Sequence, residues 1–191
     1  MRKLMKIKIK KYKKVKSTND IALKLIKKNF SEPTLVISEK QTNGRGRAGK
    51  KWISKKGNLF FSLFFKFDQN KIDFKQYAVL NAFLLKKVIS KIILKKIRIK
   101  WPNDLLFNKK KFCGILQEVI KFDNFDYLIV GIGLNTNIVP QNKGFQSTCL
   151  KNILNRKINN KKILKNIIIN YEKFLKEKNR LSFSELKRQY K

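Results

Sequence analysis

The chain has 191 residues, 42% of them apolar, and carries 47 basic against 12 acidic side chains for a formal charge of +35. Its length suits one domain with a single core, and Ile, Leu, Val and Phe recur all along it, which argues against disorder despite the charge. The absence of histidine excludes Ser-His-Asp and Cys-His catalysis and histidine-ligated metals, while two distant cysteines, Cys113 and Cys149, are too few for a disulfide scaffold or a thiolate zinc site.

No run of 18 apolar residues offers a membrane span, and the basic segment Met1 to Lys16 has no apolar stretch behind it to act as a secretory signal. The expectation is a cytoplasmic protein. Ser17-Thr18-Asn19-Asp20 then supplies capping residues for a helix through Ile21 to Ile26. Thr34 to Ser38 reads as a short strand, and Leu59 to Phe65, apolar and aromatic throughout, as a buried one. Apolar residues at 77, 80, 84, 85 and 88 fit an amphipathic helix over Tyr77 to Ile89. Ile97 to Trp101 alternates like a strand and stops at Pro102. Phe112 to Val119 and Tyr127 to Leu134 are two further strands, forming a hairpin around Lys121 to Phe125. Lys162 to Leu175 is a later helix, and Ser182-Phe183-Ser184-Glu185 has the spacing of a capping box opening a terminal one. No linker composition and no repeat interrupts the series. Strands in the middle flanked by helices predict an α+β domain on a mixed, largely antiparallel sheet.

The charge first suggests a nucleic-acid-binding protein. Its make-up points elsewhere, because 40 of the cations are lysines and only seven are arginines, the residue preferred for bidentate phosphate and base contacts. The lysines are spread over nearly every segment beside Asn and Ile, which reads as a composition-wide bias filling solvated positions. No specific nucleic acid is expected as partner.

Against that background, Gly44-Arg45-Gly46-Arg47-Ala48-Gly49 stands out. Three glycines in six residues free the backbone to wrap a ligand with its N–H groups turned inward, and two guanidinium groups on that frame suit a phosphate or carboxylate. The spacing matches neither a P-loop nor a dinucleotide fingerprint. Trp52, just beyond, is either a core residue or an aromatic plate for a purine. Lys100-Trp101-Pro102-Asn103-Asp104 reads in isolation as a strand-to-turn junction. Lys111 stands at the mouth of an apolar strand, and Gly131-Ile132-Gly133-Leu134-Asn135 ends the next one in glycines and an amide.

In series, these segments resemble the biotin protein ligases. The resemblance is carried by Ser17-Thr18-Asn19 before a helix, Gln41-Thr42-Asn43-Gly44-Arg45-Gly46-Arg47-x-Gly49-x-x-Trp52, Lys100 to Asp104, Lys111-Phe112-Cys113-Gly114-Ile115-Leu116-Gln117-Glu118 and Gly131 to Asn135. Five motifs in the family's order cover roughly residues 10 to 150. The resemblance implies a catalytic domain of the class II aminoacyl-tRNA synthetase-like type. It implies that biotin and ATP, the latter with Mg²⁺, give biotinyl-5′-adenylate and pyrophosphate. A lysine of a biotin carboxyl carrier domain of a biotin-dependent carboxylase then takes the acyl group. Lipoate or octanoate attachment, by enzymes of the same fold group, is the alternative.

By the same resemblance, Ser17, Thr18, Asn19, Gln41, Gly44, Arg45, Gly46, Arg47, Lys111 and Gly114 line the biotin pocket. Arg47, Trp52, Asn103, Lys111 and Asn135 take the nucleotide, and Arg45, Arg47, Lys111 and Asp104 serve catalysis. Asp104 is the group that orients or deprotonates the incoming lysine, and no residue is assigned to a metal. Carboxylate attack on an α-phosphate brings two anions together, so arginine and lysine are the residue types such a site needs. The chain is expected to be a single catalytic domain over residues 1–191. The helix-turn-helix domain that precedes it in many family members and the SH3-like barrel that follows it are expected to be absent, and a homodimer is left open. Lys50 departs from an arginine that is common in the family.

Overall fold

The structure is a computed structural model that describes residues 6–141 and 146–191. Seven strands, β1 (Lys8–Val15), β2 (Thr34–Gln41), β3 (Leu59–Phe67), β4 (Arg98–Lys100), β5 (Asp104–Phe107), β6 (Lys110–Phe122) and β7 (Phe125–Leu134), alternate with five helices. The helices are α1 (Thr18–Ile26), α2 (Phe74–Ile93), α3 (Leu150–Leu154), α4 (Asn160–Glu177) and α5 (Phe183–Tyr190). The strands form one sheet in the order β1-β2-β3-β7-β6-β5-β4. Only β1 and β2, joined through α1, run parallel, and every other pair is antiparallel, so the sheet is mixed and largely antiparallel as expected.

The unbroken apolar run of β3 follows from its central place. Alternate side chains of a strand face opposite sides, and both sides are covered here. Phe61, Leu63 and Phe65 enter the main core with residues of α2, α4 and α5, whereas Phe64 joins Ala22 and Ile26 of α1. Ser62, fully buried, is the polar exception on the α1 side. The β6–β7 hairpin turns at Asp123 and Asn124, both left-handed with φ of 48° and 58°, the pair of conformations that matches strand twist in a two-residue loop. Capping boxes close the starts of α2 (Asp73 with Gln76) and α5 (Ser182 with Glu185), and the first sets that helix three residues ahead of its apolar pattern.

Three elements differ from sequence expectation. β1 is a lysine-studded edge strand whose apolar alternation is swamped by its charges; lysine on a sheet edge discourages further strand pairing. Asp104 starts β5 instead of ending a turn, because the chain reverses tightly over Trp101–Asn103 through a cis Trp101–Pro102 bond. Ser17 stands at the N-cap of α1 without any side-chain cap bond; Thr18 and Asn19, inside the first turn, are buried and committed elsewhere. Among the described residues no helix is long and apolar enough to cross a membrane.

Lys178, just past α4, lies under the sheet with its Nζ donating to the Lys66 carbonyl at 3.3 Å and 5.4 Å from the Phe65 ring. Burial, reinforced by Lys71 and opposed by Asp68, lowers its pKa to about 8. The folded-state value lies below the unfolded one, so the unfolded chain holds more protons between pH 8 and 10.5 and stability rises with pH across that window. Lys178→Met is therefore expected to stabilise the fold at pH 7 by at most about 3 kcal/mol. Thermal unfolding of both proteins should show the gap closing by pH 10.5, and a gap independent of pH would contradict the assignment.

Candidate functional site

The glycine-rich segment is itself a small hairpin. Trp52 N donates to the Gly44 carbonyl at 2.8 Å, Gly46 N to Lys50 at 2.6 Å, and Lys50 N to Arg47 at 3.1 Å. Ala48 and Gly49 form its tip with φ of 51° and 72°. The expectation of inward-turned N–H groups is corrected at Gly46, whose N–H is used within the hairpin. Gly44 is needed at its base because a Cβ there would lie 2.5 Å from the Trp52 carbonyl.

The hairpin roofs a cleft on the α1 side of the sheet. Ser17, Thr18 and Asn19 enter from the start of α1, Gln41 from the end of β2, and Asn103 from the turn between β4 and β5. Lys111 and Gly114 come from β6, and Gly131 and Gly133 from β7. Gly114 and Gly133 are paired across the two strands. The Trp52 indole lies on this bare pair. A Cβ on Gly114 would come within 2.7 Å of its ring, and one on Gly133 would be driven into it. A Cβ on Gly131 would strike the Asn19 amide. The Trp52 Nε1 is buried with no hydrogen-bond partner.

A chain of polar groups forms the inner wall. Gln41 Oε1 accepts from the Thr18 backbone N–H at 2.7 Å and hydroxyl at 3.1 Å, and its amide donates to Ser54 at 2.9 Å. Ser62 Oγ is 2.7 Å from Thr18 Oγ1 and also within hydrogen-bond reach of Asn19 Oδ1. Asn19 Nδ2 donates to Glu118 Oε2 at 2.6 Å. The sequence reading assigned no role to Ser54, Ser62 or Glu118. Ser62 carries a signal as the single small hydroxyl inside an aromatic strand, and Glu118 one as the last residue of the Lys111–Glu118 motif.

The cations are disposed differently from one another. Arg45 makes a two-pronged bond to Glu118, 2.8 Å on each arm, and lies 3.0 Å from Asp20. Arg47 donates to the neutral Asn103 Oδ1 at 3.1 Å, while Asn103 also brackets the Ile115 peptide from both sides. Lys111 Nζ is 2.7 Å from Asp104 Oδ1 and 5.3 Å from the Trp52 ring centre. Cys113, next to Gly114 in sequence, turns into the main core on the other face of the sheet, where burial pushes its thiol well above the ordinary range.

The structure thus gathers Ser17, Thr18, Asn19, Gln41, Arg45, Gly46, Arg47, Trp52, Asn103, Lys111 and Gly114 around one cleft. Gly44, Asp104 and Asn135 do not line it. Gly44 forms the hairpin base and Asp104 reaches the cleft only through Lys111. Asn135 is buried, its amide donating to the Thr148 carbonyl at 3.2 Å and its Oδ1 without a partner.

Gly133→Ala should test the bare floor. Overpacking a filled site costs about 1–3 kcal/mol, so the variant should unfold at lower temperature and show a red-shifted tryptophan emission as the indole is displaced. Unchanged emission and stability would contradict the packing described.

The biotin/lipoate A/B protein ligase family model matches residues 12–135. The bifunctional ligase/repressor BirA of Bacillus subtilis is 34% identical over 163 residues, 82% of this chain and 50% of that protein. The biotin–[acetyl-CoA-carboxylase] ligase of Paracoccus denitrificans is 32% identical over 127 residues, 65% of this chain and 52% of that one. The chain spans about half the length of the curated relatives it matches. Among solved structures, the biotin protein ligase from Aquifex aeolicus in complex with biotin and ATP superposes with a TM-score of 0.81 at 31% identity, over 96% of this chain and 76% of that one. Sequence and architecture agree: the chain belongs to the biotin/lipoate A/B protein ligase family and has the fold of a biotin protein ligase catalytic domain.

Proposed function

We propose that the chain activates biotin with ATP and transfers the biotinyl group to a lysine of a biotin carboxyl carrier domain. The observation that carries this reading is the pairing of an uncharged, largely buried hydrogen-bonding wall with two cations, Arg47 and Lys111, at one cleft. A biotin carboxylate oxygen attacks the α-phosphorus, the new P–O bond forms as the bond to pyrophosphate breaks, and biotinyl-5′-AMP remains. Mg²⁺ enters with ATP as part of that substrate. Arg47 and Lys111 face the negative charge that builds on the α-phosphate, where fixed cations in a water-poor cleft act most strongly. Asn103 holds the Arg47 guanidinium and Asp104 the Lys111 ammonium. In the second step the carrier amine attacks the acyl carbon, AMP leaves with the bonding pair, and the amine loses its proton. Asp104, which reaches the cleft through Lys111, is assigned to orient that amine or take its proton.

The wall also favours biotin over lipoate. A ureido ring has a carbonyl acceptor and two N–H donors, and burying them is favourable only against partners. Thr18, Asn19, Gln41 and Ser62 are groups of that kind, whereas a dithiolane ring brings no donor and only weak sulfur acceptors to them. Trp52 rests on the glycine floor, and stacking on the purine of an adenylate requires it to leave that floor. Asn135, just past the end of β7, is assigned to the nucleotide side of the cleft.

Arg47→Ala and Lys111→Ala are each expected to lower biotin-dependent pyrophosphate release about 100-fold, with thermal unfolding of the Arg47 variant unchanged. Wild-type release from either would remove these side chains from the chemistry. The positive surface should matter mainly for carrier encounter, since steering is screened by salt and short enclosed contacts are not. Carrier biotinylation at sub-saturating acceptor should fall steeply between low and physiological salt while pyrophosphate release changes little. Equal salt dependence of both steps would contradict steering of an acidic carrier.

A further inference from the structure

We infer that Glu118 is a positioning residue that sets two parts of the cleft at once, pinning the glycine-rich hairpin through Arg45 and fixing which way round the Asn19 amide stands. The inference rests on the biotin-ligase reading only for its consequence in binding; the geometry stands by itself. Glu118 lies four residues beyond Gly114 on β6, so both face the same side of the sheet. Both its carboxylate oxygens are engaged, one with Arg45 and the other with Arg45 and Asn19.

The consequence for Arg45 is one of charge. Its guanidinium meets two carboxylates, Glu118 and Asp20, and is already neutralised. Arg47, two residues on, has no carboxylate within ion-pair distance among the described residues and donates to an amide oxygen instead. Two arginines with the same spacing from glycine therefore divide the work. Arg45 ties the hairpin to β6 and α1, and Arg47 keeps its charge for the ligand. A two-pronged arginine–carboxylate bond defines orientation as well as distance, which a hairpin roof with a left-handed Ala48–Gly49 tip otherwise lacks.

The consequence for Asn19 is one of polarity. An asparagine amide presents a donor and an acceptor of nearly equal shape, and only its partners decide which points where. An ionised carboxylate accepts and never donates, so Glu118 draws the Nδ2 toward itself and leaves Oδ1 facing Ser62 and the Gly131 floor. The inner wall thereby offers a fixed acceptor at that point, one suited to a ureido N–H. Glu118→Gln keeps the shape, removes the charge and introduces a donor that competes with both Arg45 and Asn19.

The test compares wild type, Glu118→Gln, Arg45→Met and Asp20→Asn by amide exchange of the ligand-free proteins over residues 44–52, together with biotin affinity and pyrophosphate release. Exchange should accelerate about tenfold in Glu118→Gln and Arg45→Met, the loss expected for a charged hydrogen bond at a half-exposed site, and less in Asp20→Asn. Biotin Kd should rise about tenfold in Glu118→Gln, whose Asn19 is released, and stay near wild type in Asp20→Asn. Release at saturating biotin should change far less than affinity in Glu118→Gln. Arg45→Met removes a half-exposed side chain and so reads the hairpin even if Glu118→Gln fails to fold. Wild-type exchange in Arg45→Met, or unaltered biotin affinity in a folded Glu118→Gln, overturns the inference. Accelerated exchange in proteins none of which binds biotin would uphold the hairpin pin and instead overturn the ligase reading.

Discussion

The cleft exists because three positions on two adjacent strands carry no side chain. Gly114 and Gly133 stand opposite each other on β6 and β7, and Gly131 lies two residues further along. A methyl group at any of the three would meet an indole or an amide at less than van der Waals separation. None of these strand glycines needs a left-handed backbone; what they supply is room. A sheet normally buries such a face under apolar side chains, as Phe64, Tyr127 and Ile129 do a few residues away beneath α1. The bare patch lets Trp52 come down onto the sheet, and the glycine-rich hairpin comes with it.

Around that patch, polarity is sorted by depth. The wall of buried Thr18, Asn19 and Ser62 with half-buried Gln41 is neutral and closely hydrogen-bonded, the arrangement that makes burial of polar groups tolerable. The two arginines stand nearer the surface, where water shares their solvation, and the Lys111–Asp104 pair lies deeper. Each cation is held by a group chosen for what the cation must do. Arg45 is held by carboxylates that consume its charge, Arg47 by an amide that leaves it intact, and Lys111 by a carboxylate that keeps it turned to the indole.

Much of this was legible in the chain. The β6–β7 hairpin, α5 with its capping box and the buried β3 follow from local pattern, since each depends on neighbours in sequence. β1 was not legible, because lysines at most of its positions hide a two-residue period that only pairing with β2 reveals. β5 and α3 are four and five residues long and leave too short a pattern. In the site, most residues of the motifs meet around one cleft. What stayed hidden were properties that arise only from partners distant in sequence. Ser62 joins the wall through Thr18, 44 residues away, and Glu118 reaches Arg45 over 73. Nothing in Gly-Arg-Gly-Arg tells its two arginines apart. Ser17-Thr18-Asn19 reads equally well as a helix cap, and the structure turns its second and third members inward to the wall.

The central claim is that this cleft makes an acyl-adenylate of biotin and passes it to a carrier lysine. Its most direct measurement is the intact mass of a purified biotin carboxyl carrier domain after incubation with the protein, Mg²⁺, ATP and either biotin or lipoate. The account predicts one biotinyl group added to the carrier, dependent on ATP, and none from lipoate. A carrier modified by lipoate and not by biotin, or left unmodified while the folded protein binds neither biotin nor ATP, would contradict it.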